Sequence, residues 1–429
     1  MPAWCGAALS LTRTARGTAP AGKDAGVSDI DLLPLLRDRL LGTYSPLLAN
    51  TTATLLFTAG GMANWTVKID RGRAVATPGA PANPTTTVHA PLTVLNDVVA
   101  GTRSGIEAFL AGDLTLRGNV ALALQLDGLF PGDRADHTRT VTRSVVAAGI
   151  ETFVLESGPV DAAPVVLVHG LGATNASMLP LISALSRDFH VLAPDLPGHG
   201  GTQAKGAAHA AEYLGNWLLA FLRETCDQPA VLVGNSLGGR TALEAALSSP
   251  YEVRGLVLLC PAGAFRKLRQ FVPLVRLVRD EIAFLPVRIP RGIATRCLRS
   301  LFADPTRLPD AWHVAAIDEF IRVLNMRANR LAMFSALRHV YLDEPFGTRG
   351  FWERLPTLEP PALFLWGDRD PLIPVGFRRF VAEALPGAGC VVIDDCGHVP
   401  QFEHPELTAQ LTREFIDALP AQAAHAAAS

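Results

Sequence analysis

The stretch Ala230-Val231-Leu232-Val233-Gly234-Asn235-Ser236-Leu237-Gly238-Gly239-Arg240-Thr241-Ala242-Leu243-Glu244-Ala245-Ala246 decides how this chain is read. Ala230 to Val233 is a short apolar, β-branched run, the pattern of a strand buried on both faces. From Thr241 onward the chain is rich in Ala, Leu and Glu, which favour helix. Between the two lies a Gly-x-Ser-x-Gly turn. A strand that bends this sharply into a helix brings backbone against backbone, so a β-carbon at Gly234 or Gly238 has no room. The same turn lifts the Ser236 hydroxyl off the sheet. It also sets a helix N-terminus, with its unpaired N–H groups, behind any negative charge that develops there.

Outward from this point, strands and helices alternate. Apolar runs at 165–168, 190–193, 256–259, 361–366 and 390–393 read as further strands, with helical patterns at 178–185 and 213–223 and a hairpin over 145–156 that turns at Ala148-Gly149. This alternation predicts a doubly wound, mostly parallel α/β sheet. Ligands bind such sheets at the C-terminal ends of the strands, where this sequence places its chemistry. The ends carry His169-Gly170-Leu171-Gly172, Asp195-Leu196-Pro197-Gly198-His199-Gly200, Gly367-Asp368-Arg369-Asp370 with Pro374, and Gly397-His398 with Pro400, Glu403 and Pro405.

Together with Gly234-x-Ser236-x-Gly238, these motifs resemble the α/β-hydrolase superfamily, over roughly residues 145–420. The resemblance implies a nucleophile–acid–histidine order along the chain. A serine hydroxyl needs a base to take its proton during attack, and the imidazole of His398 suits that task near neutral pH. Asp370 would fix the imidazole tautomer and stabilise its cation. The backbone N–H groups of Leu237 and Leu171 would form the oxyanion hole, Leu171 being placed there by the resemblance. Asp368 is the rival acid, and the Gly-x-x-Asp-x-x-x-Pro spacing favours Asp370. Asp394 and Asp395 lie too near His398 in sequence to orient it easily. His169, His199 and His404 read as structural loop residues, and Cys396 lacks the elbow that a nucleophile needs. Cys260-Pro261 leaves the alternative acid position, after the strand at 256–259, without an acid.

Residues 30–130 read differently: strands, helices and turns of a smaller α+β unit. Trp65, Val67 and Ile69 alternate with Thr66, Lys68 and Asp70 as in a half-buried strand, Pro91 opens a helix, and Asn119 caps a closing apolar helix over 120–126. Gly60-Gly61, Ile69-Asp70-Arg71-Gly72, the helix over 92–101 and Ala111-Gly112-Asp113-Leu114-Thr115-Leu116-Arg117-Gly118-Asn119 follow one another as in the sterol-carrier-protein-2 (SCP2) family, which this segment resembles. The resemblance implies a five-stranded sheet and an apolar site for fatty acyl chains or sterols. His89 stands alone, without partners for chemistry.

The remaining boundaries follow from composition. Residues 1–29 and 421–429 read as tails, 131–144 as a polar linker, and 262–356 as a helical cap inserted between two sheet strands. In the cap, Phe271, Leu274, Val275, Val278 and Ile282 fall on one helical face, and Trp312, Phe320, Met326, Met333 and Phe334 are candidate pocket walls. Residues 265–299 hold nine Lys or Arg and two acids, either a solvated basic face or a surface for peripheral contact with anionic membrane.

A length of 429 residues suits two domains, and a net charge of −2 gives no reason to expect nucleic acid. The six cysteines are scattered, without metal or disulfide spacing, which suits a cytoplasmic protein. No cofactor and no metal ion are called for by any motif. The expected activity is hydrolysis of a carboxylic ester or thioester of a small apolar, lipid-like substrate, through an acyl-enzyme. Two alternatives stand beside it: carbon–carbon bond hydrolysis of a ring-cleavage product, and lipid carriage without catalysis. Oligomeric state is not legible.

Overall fold

The computed structural model describes residues 31–40, 52–60, 63–120, 122–123, 140–205, 209–264, 269–285 and 289–420. The expected tails, most of the linker and the end of the closing helix lie outside them.

The N-terminal unit is a five-stranded sheet in the order β3-β2-β1-β4-β5, from β1 (Thr52–Ala59), β2 (Ala63–Asp70), β3 (Arg73–Pro78), β4 (Thr86–His89) and β5 (Thr115–Gly118). Arg71 and Gly72 both take positive φ between β2 and β3, the two-residue hairpin turn whose twist matches its strands. Trp65, Val67 and Ile69 are buried as the alternation predicts. Thr66 is buried as well, against that alternation, because its hydroxyl donates to the Gly79 carbonyl at 2.7 Å. Helix Leu32–Leu40 buries Leu32, Leu36 and Leu40, and helix Leu92–Ala100 ends at Gly101 in the left-handed conformation. The Asn119 cap forms: its Oδ1 accepts the Leu122 N–H at 3.1 Å.

The second sheet has eight strands in the order β13-β12-β11-β10-β8-β9-β7-β6. They are β6 (Val141–Ala147), β7 (Ile150–Ser157), β8 (Pro164–Val168), β9 (His190–Pro194), β10 (Ala230–Asn235), β11 (Val253–Leu259), β12 (Ala362–Gly367) and β13 (Gly389–Ile393). From β8 to β13 every pairing is parallel, and β6 and β7 form an antiparallel edge. β6 begins at Val141, so the sheet starts inside the segment expected as linker. The period of two sorts the core. Val165, Leu167, Val231, Val233, Val257 and Leu259 pack on one face with helix Leu179–Leu185, in one continuous cluster that includes the core of the N-terminal unit. Val166, Val168, Leu232, Leu256 and Leu258 pack on the other with helices Ala211–Thr225 and Leu237–Ser248. Strand order reverses between β8 and β10, and the crevice at that switch point is where open α/β sheets hold ligands.

The cap inserts between β11 and β12 and is helical, with its longest helices at Asp310–Asn325 and Arg327–Leu342. Its first part departs from expectation. Residues 269–284 are broken into short turns around helix Val272–Leu277, not one amphipathic helix. Pro273 allows only a helix start here. Phe271, Leu274 and Ile282 face solvent, each at least half exposed, instead of burying a common face.

Candidate active site

Ser236 sits between β10 and helix Leu237–Ser248 with φ +54° and ψ −112°, a strained conformation for a residue with a side chain. The two flanking glycines explain why the turn is possible. A β-carbon on Gly234 would lie 2.5 Å from the Gly238 carbonyl oxygen, and one on Gly238 would lie 2.1 Å from that of Val168. Ser236 keeps part of its surface open while its neighbours are buried.

His398 lies on the loop after β13. Its Nδ1 meets Asp370 Oδ2 at 2.8 Å, with both side chains buried. The other Asp370 oxygen accepts the N–H groups of Leu372 and Ile373 at 2.8 and 2.9 Å, so the carboxylate is fixed from both ends. Asp368 is turned away and accepts the Cys396 N–H at 3.1 Å. Asp395 pairs with Arg369 at 2.6 Å. The Cys396 thiol is pushed well up by burial, which keeps it protonated. Among the described residues no hydrogen bond joins the Ser236 hydroxyl to His398. The two loops are nonetheless tied together, because Asn235 Nδ2 donates to the His398 carbonyl at 3.1 Å.

The loop after β8 closes over the elbow. A β-carbon on Gly170 would lie 3.3 Å from Ser236 Cβ, which sets Leu171 beside the nucleophile turn. Among the described residues, no carbonyl accepts the N–H groups of Leu171 and Leu237. Beneath this loop His169, Asp195 and His199 are fully buried. His169 Nδ1 donates to the Gly170 carbonyl at 2.8 Å, which leaves Nε2 to accept the Leu196 N–H at 3.0 Å. Burial holds His169 down to about 3 and His199 down to about 4, so both are neutral supports rather than bases, as their loop positions led one to expect. His404 is likewise structural, bonded through Nε2 to the Asp395 carbonyl at 3.2 Å.

Glu403 is a residue the sequence flagged only as part of a motif. Its carboxylate accepts the N–H groups of Gly397 and Ala303, each at 2.7 Å, while His398 N–H donates to the Leu301 carbonyl at 2.7 Å. The histidine loop is thereby bound to the cap. Cys260 was read only as an absent acid. It ends β11 at φ +45°, and its sulfur, an Asp370 oxygen and a His398 nitrogen all lie within 4.8 Å of one another. Burial raises the thiol well above its ordinary value, and a protonated thiol is a poor metal ligand.

A cavity of about 180 Å³ runs from Leu171, Gly172 and Val399 between sheet and cap. Trp312 and Phe320 line it as expected; Met326 and Phe334 do not, and Met326 is largely exposed. Met333 lies by the loop after β8 instead, its sulfur 3.2 Å from where a β-carbon on Gly172 would be.

The sequence profile of the alpha/beta hydrolase family matches residues 165–411. The chain belongs to the alpha/beta hydrolase family. Residues 35–131 of this hydrolase match the SCP-2 sterol transfer family, so the N-terminal unit is an SCP2 domain. The hydrolase is 32% identical over 267 residues to a pimeloyl-[acyl-carrier protein] methyl ester esterase of Methylococcus capsulatus, covering 59% of this chain and 94% of the relative. It is 27% identical over 284 residues to a 2-hydroxy-6-oxo-6-(2'-aminophenyl)hexa-2,4-dienoic acid hydrolase of Metapseudomonas resinovorans, covering 64% of this chain and 91% of the relative. Among solved structures, a membrane phospholipase A aligns with a TM-score of 0.54 at 28% identity, covering 76% of this chain and 96% of that one. No helix among the described residues is long and apolar enough to cross a membrane.

Proposed function

We propose that the hydrolase cleaves carboxylic esters or thioesters with an apolar acyl or alcohol part, with Ser236 as nucleophile, His398 as base and Asp370 as the acid that orients it. The observation that carries this reading is the buried His398–Asp370 contact, 2.8 Å long, joined through Asn235 to an elbow that opens beside an apolar cavity. The Asp370 carboxylate, accepting from Nδ1, leaves Nε2 free of its proton and ready to take one. Attack by Ser236 Oγ on the acyl carbon transfers the hydroxyl proton to Nε2. The tetrahedral oxyanion falls to the N–H groups of Leu171 and Leu237, each such donor being worth about 3 kcal/mol of barrier. The imidazolium returns its proton to the leaving alcohol or thiol, and water, activated by the same base, releases the acid from Ser236. The Ser236–His398 hydrogen bond forms when substrate closes the site, since catalytic hydrogen bonds are often long in unliganded enzymes and tighten in the complex.

Carbon–carbon hydrolysis is the second reading, favoured by Asn235 in the elbow and by the relative that acts on a dienoic acid. The cavity wall speaks for the ester. A ring-cleavage product carries a carboxylate, whereas this lining offers Glu319 and a His313 whose Nε2 is engaged with the Pro305 carbonyl at 2.6 Å, and Arg322 beside Glu319 is already paired with it at 2.6 Å. Purified protein assayed on p-nitrophenyl esters of graded chain length tests the proposal: turnover that disappears in Ser236→Ala supports it, and ester inertness with cleavage of a vinylogous diketone supports the second reading. Lipid binding without turnover of either would leave the carrier.

The outer cap supports a further part of the reading, peripheral contact with anionic membrane. Phe271, Leu274, Leu277, Ile282 and Leu285 are exposed among the exposed Arg276 and Arg279, which joins apolar insertion to charge attraction. Co-sedimentation with phosphatidylglycerol vesicles but not phosphatidylcholine vesicles is expected, and equal recovery with both would remove it.

A further inference from the structure

The cavity described above is not closed by the hydrolase domain alone. Its lining includes Phe109 and Val120, both from the SCP2 domain, along with Leu171 of the hydrolase. Phe109 ends helix Gly105–Leu110, and Val120 follows the Asn119 cap; they are 6% and 4% exposed. The adjoining part of the lining is one face of cap helix Asp310–Asn325. Trp312, Ala315, Ala316, Glu319 and Phe320 line the cavity at helical spacing.

The two domains are fixed to each other at this wall. Trp312 Nε1 donates to the Phe109 carbonyl at 2.9 Å, and the two rings stack with centroids 6.3 Å apart. Asp318, on the same cap helix, accepts from Arg117 Nε at 2.8 Å and from the Gly118 N–H at 3.1 Å, and pairs with Arg291 of the cap. Pro309 packs against Gly112, where a β-carbon would lie 3.1 Å from its ring. These contacts connect a helix, a loop and strand β5 of the SCP2 domain to the helix that walls the cavity. The shared apolar cluster then makes the seam a packed core rather than a hinge.

We propose that the SCP2 domain forms the far wall of the hydrolase's acyl pocket, so that Phe109 and Val120 decide how long an acyl chain the active site accepts. The chain enters past Leu171 and Val399, runs along the Trp312 face and ends against these two side chains. In this arrangement the lipid-binding module does not carry ligand to the enzyme; it completes the enzyme's own binding site for a fatty acyl group. This rests on the ester-hydrolase reading.

The test is made on the full chain, with p-nitrophenyl butanoate and dodecanoate. Val120→Phe extends into the cavity and lowers the ratio of kcat/KM for dodecanoate over butanoate by roughly tenfold or more, as expected when a pocket loses room for several methylenes. Phe109→Ala moves the preferred chain length upward. Ratios within about twofold of the parent in both folded variants, while hydrolysis stays dependent on Ser236, overturn the wall and leave the hydrolase. Because either variant can fail to fold, the unmodified protein is also photolabelled with a fatty acid bearing a terminal diazirine. Label on Phe109 or Val120 together with cap residues supports the shared pocket, and label confined to one domain refutes it. Absence of any ester turnover would sink the activity instead, and the labelled peptides would still decide the wall.

Discussion

Asn235, the residue before Ser236, holds the histidine loop: its Nδ2 donates to the His398 carbonyl and to the Leu259 carbonyl, each at 3.1 Å. With two carbonyl acceptors the amide orientation is fixed, and the side chain is buried. Asn235 thus positions His398 relative to Ser236 without touching either reacting atom. Asn235→Ala is expected to lower kcat by about ten- to a hundredfold with little change in KM. Asn235→Asp, of equal size, places acceptors against both carbonyls and is expected to lose thermal stability as well. Steady-state kinetics and melting curves of the two variants check this; parent-like kcat in Asn235→Ala would remove the positioning role.

Cys260 occupies the place from which a second acid could reach the histidine, within 4.8 Å of both Asp370 and His398. Asp370→Asn should reduce kcat by several orders of magnitude, about 10⁴-fold where the imidazole takes the wrong tautomer. Adding Cys260→Asp should restore part of that loss, at least roughly tenfold, since a carboxylate there can accept from the same Nδ1. An unrescued double variant that is folded would show that the β11 end does not face the imidazole productively.

Glu244 was not singled out by any motif, yet it is the centre of the largest buried charge network at the elbow helix. Its carboxylate takes Arg240 at 2.7 and 3.0 Å and Arg354 at 2.7 and 2.8 Å. Arg240 also pairs with Asp343 at 2.6 Å and lies over the Phe351 ring. The network joins the elbow helix to the end of the cap. Glu244→Gln leaves Arg354 without its carboxylate and Arg240 with Asp343 alone, and should destabilise the fold by about 3 kcal/mol, read by urea denaturation. Arg354 is partly exposed, so water offsets some of the loss on its side. A variant within about 0.5 kcal/mol of the parent would mean that solvent replaces the glutamate.

The cluster beneath the Leu171 loop sets a pH dependence of stability. Burial lowers His169 to about 3 and His199 to about 4 from an ordinary 6.5, and raises Asp195 to about 7 from 3.8. His209 faces His199, and Glu319 and Arg322 face Asp195. Between about pH 6.5 and 4 the unfolded chain binds protons at both histidines, while the folded protein holds one more at Asp195. The unfolded state therefore gains one net proton from this cluster. Its contribution to stability falls as pH is lowered through that window, by about 1.4 kcal/mol per pH unit. His199→Asn keeps a donor for the Pro197 carbonyl, which His199 Nδ1 meets at 3.2 Å, and removes one titrating group. Denaturation between pH 4.5 and 6 should show the slope of stability against pH reduced by about one proton in that variant. An unchanged slope would contradict the assignment.

The sheet, its parallel order and the loop chemistry were legible because buried parallel strands are nearly uniform apolar runs and glycine is forced where backbones touch. Asp370 could be preferred to Asp368 by spacing, and the structure pairs it with His398. What escaped the sequence depends on partners distant along the chain. Phe109 and Trp312 are 203 residues apart and meet only when two domains dock. The helical face expected from Phe271 to Ile282 failed because periodicity does not say whether a partner surface exists. Thr66 keeps the face that alternation assigns it, yet is buried there, its hydroxyl bonded to the Gly79 carbonyl beyond the next strand.

The central claim is that Ser236 is the nucleophile activated by His398. Mass spectrometry of the protein after reaction with a fluorophosphonate tests it most directly. A single phosphonyl adduct on the peptide carrying Ser236, formed at least roughly a hundredfold more slowly in His398→Ala, is the expected result. An adduct on another residue, or labelling of Ser236 at an undiminished rate without the imidazole, would contradict it.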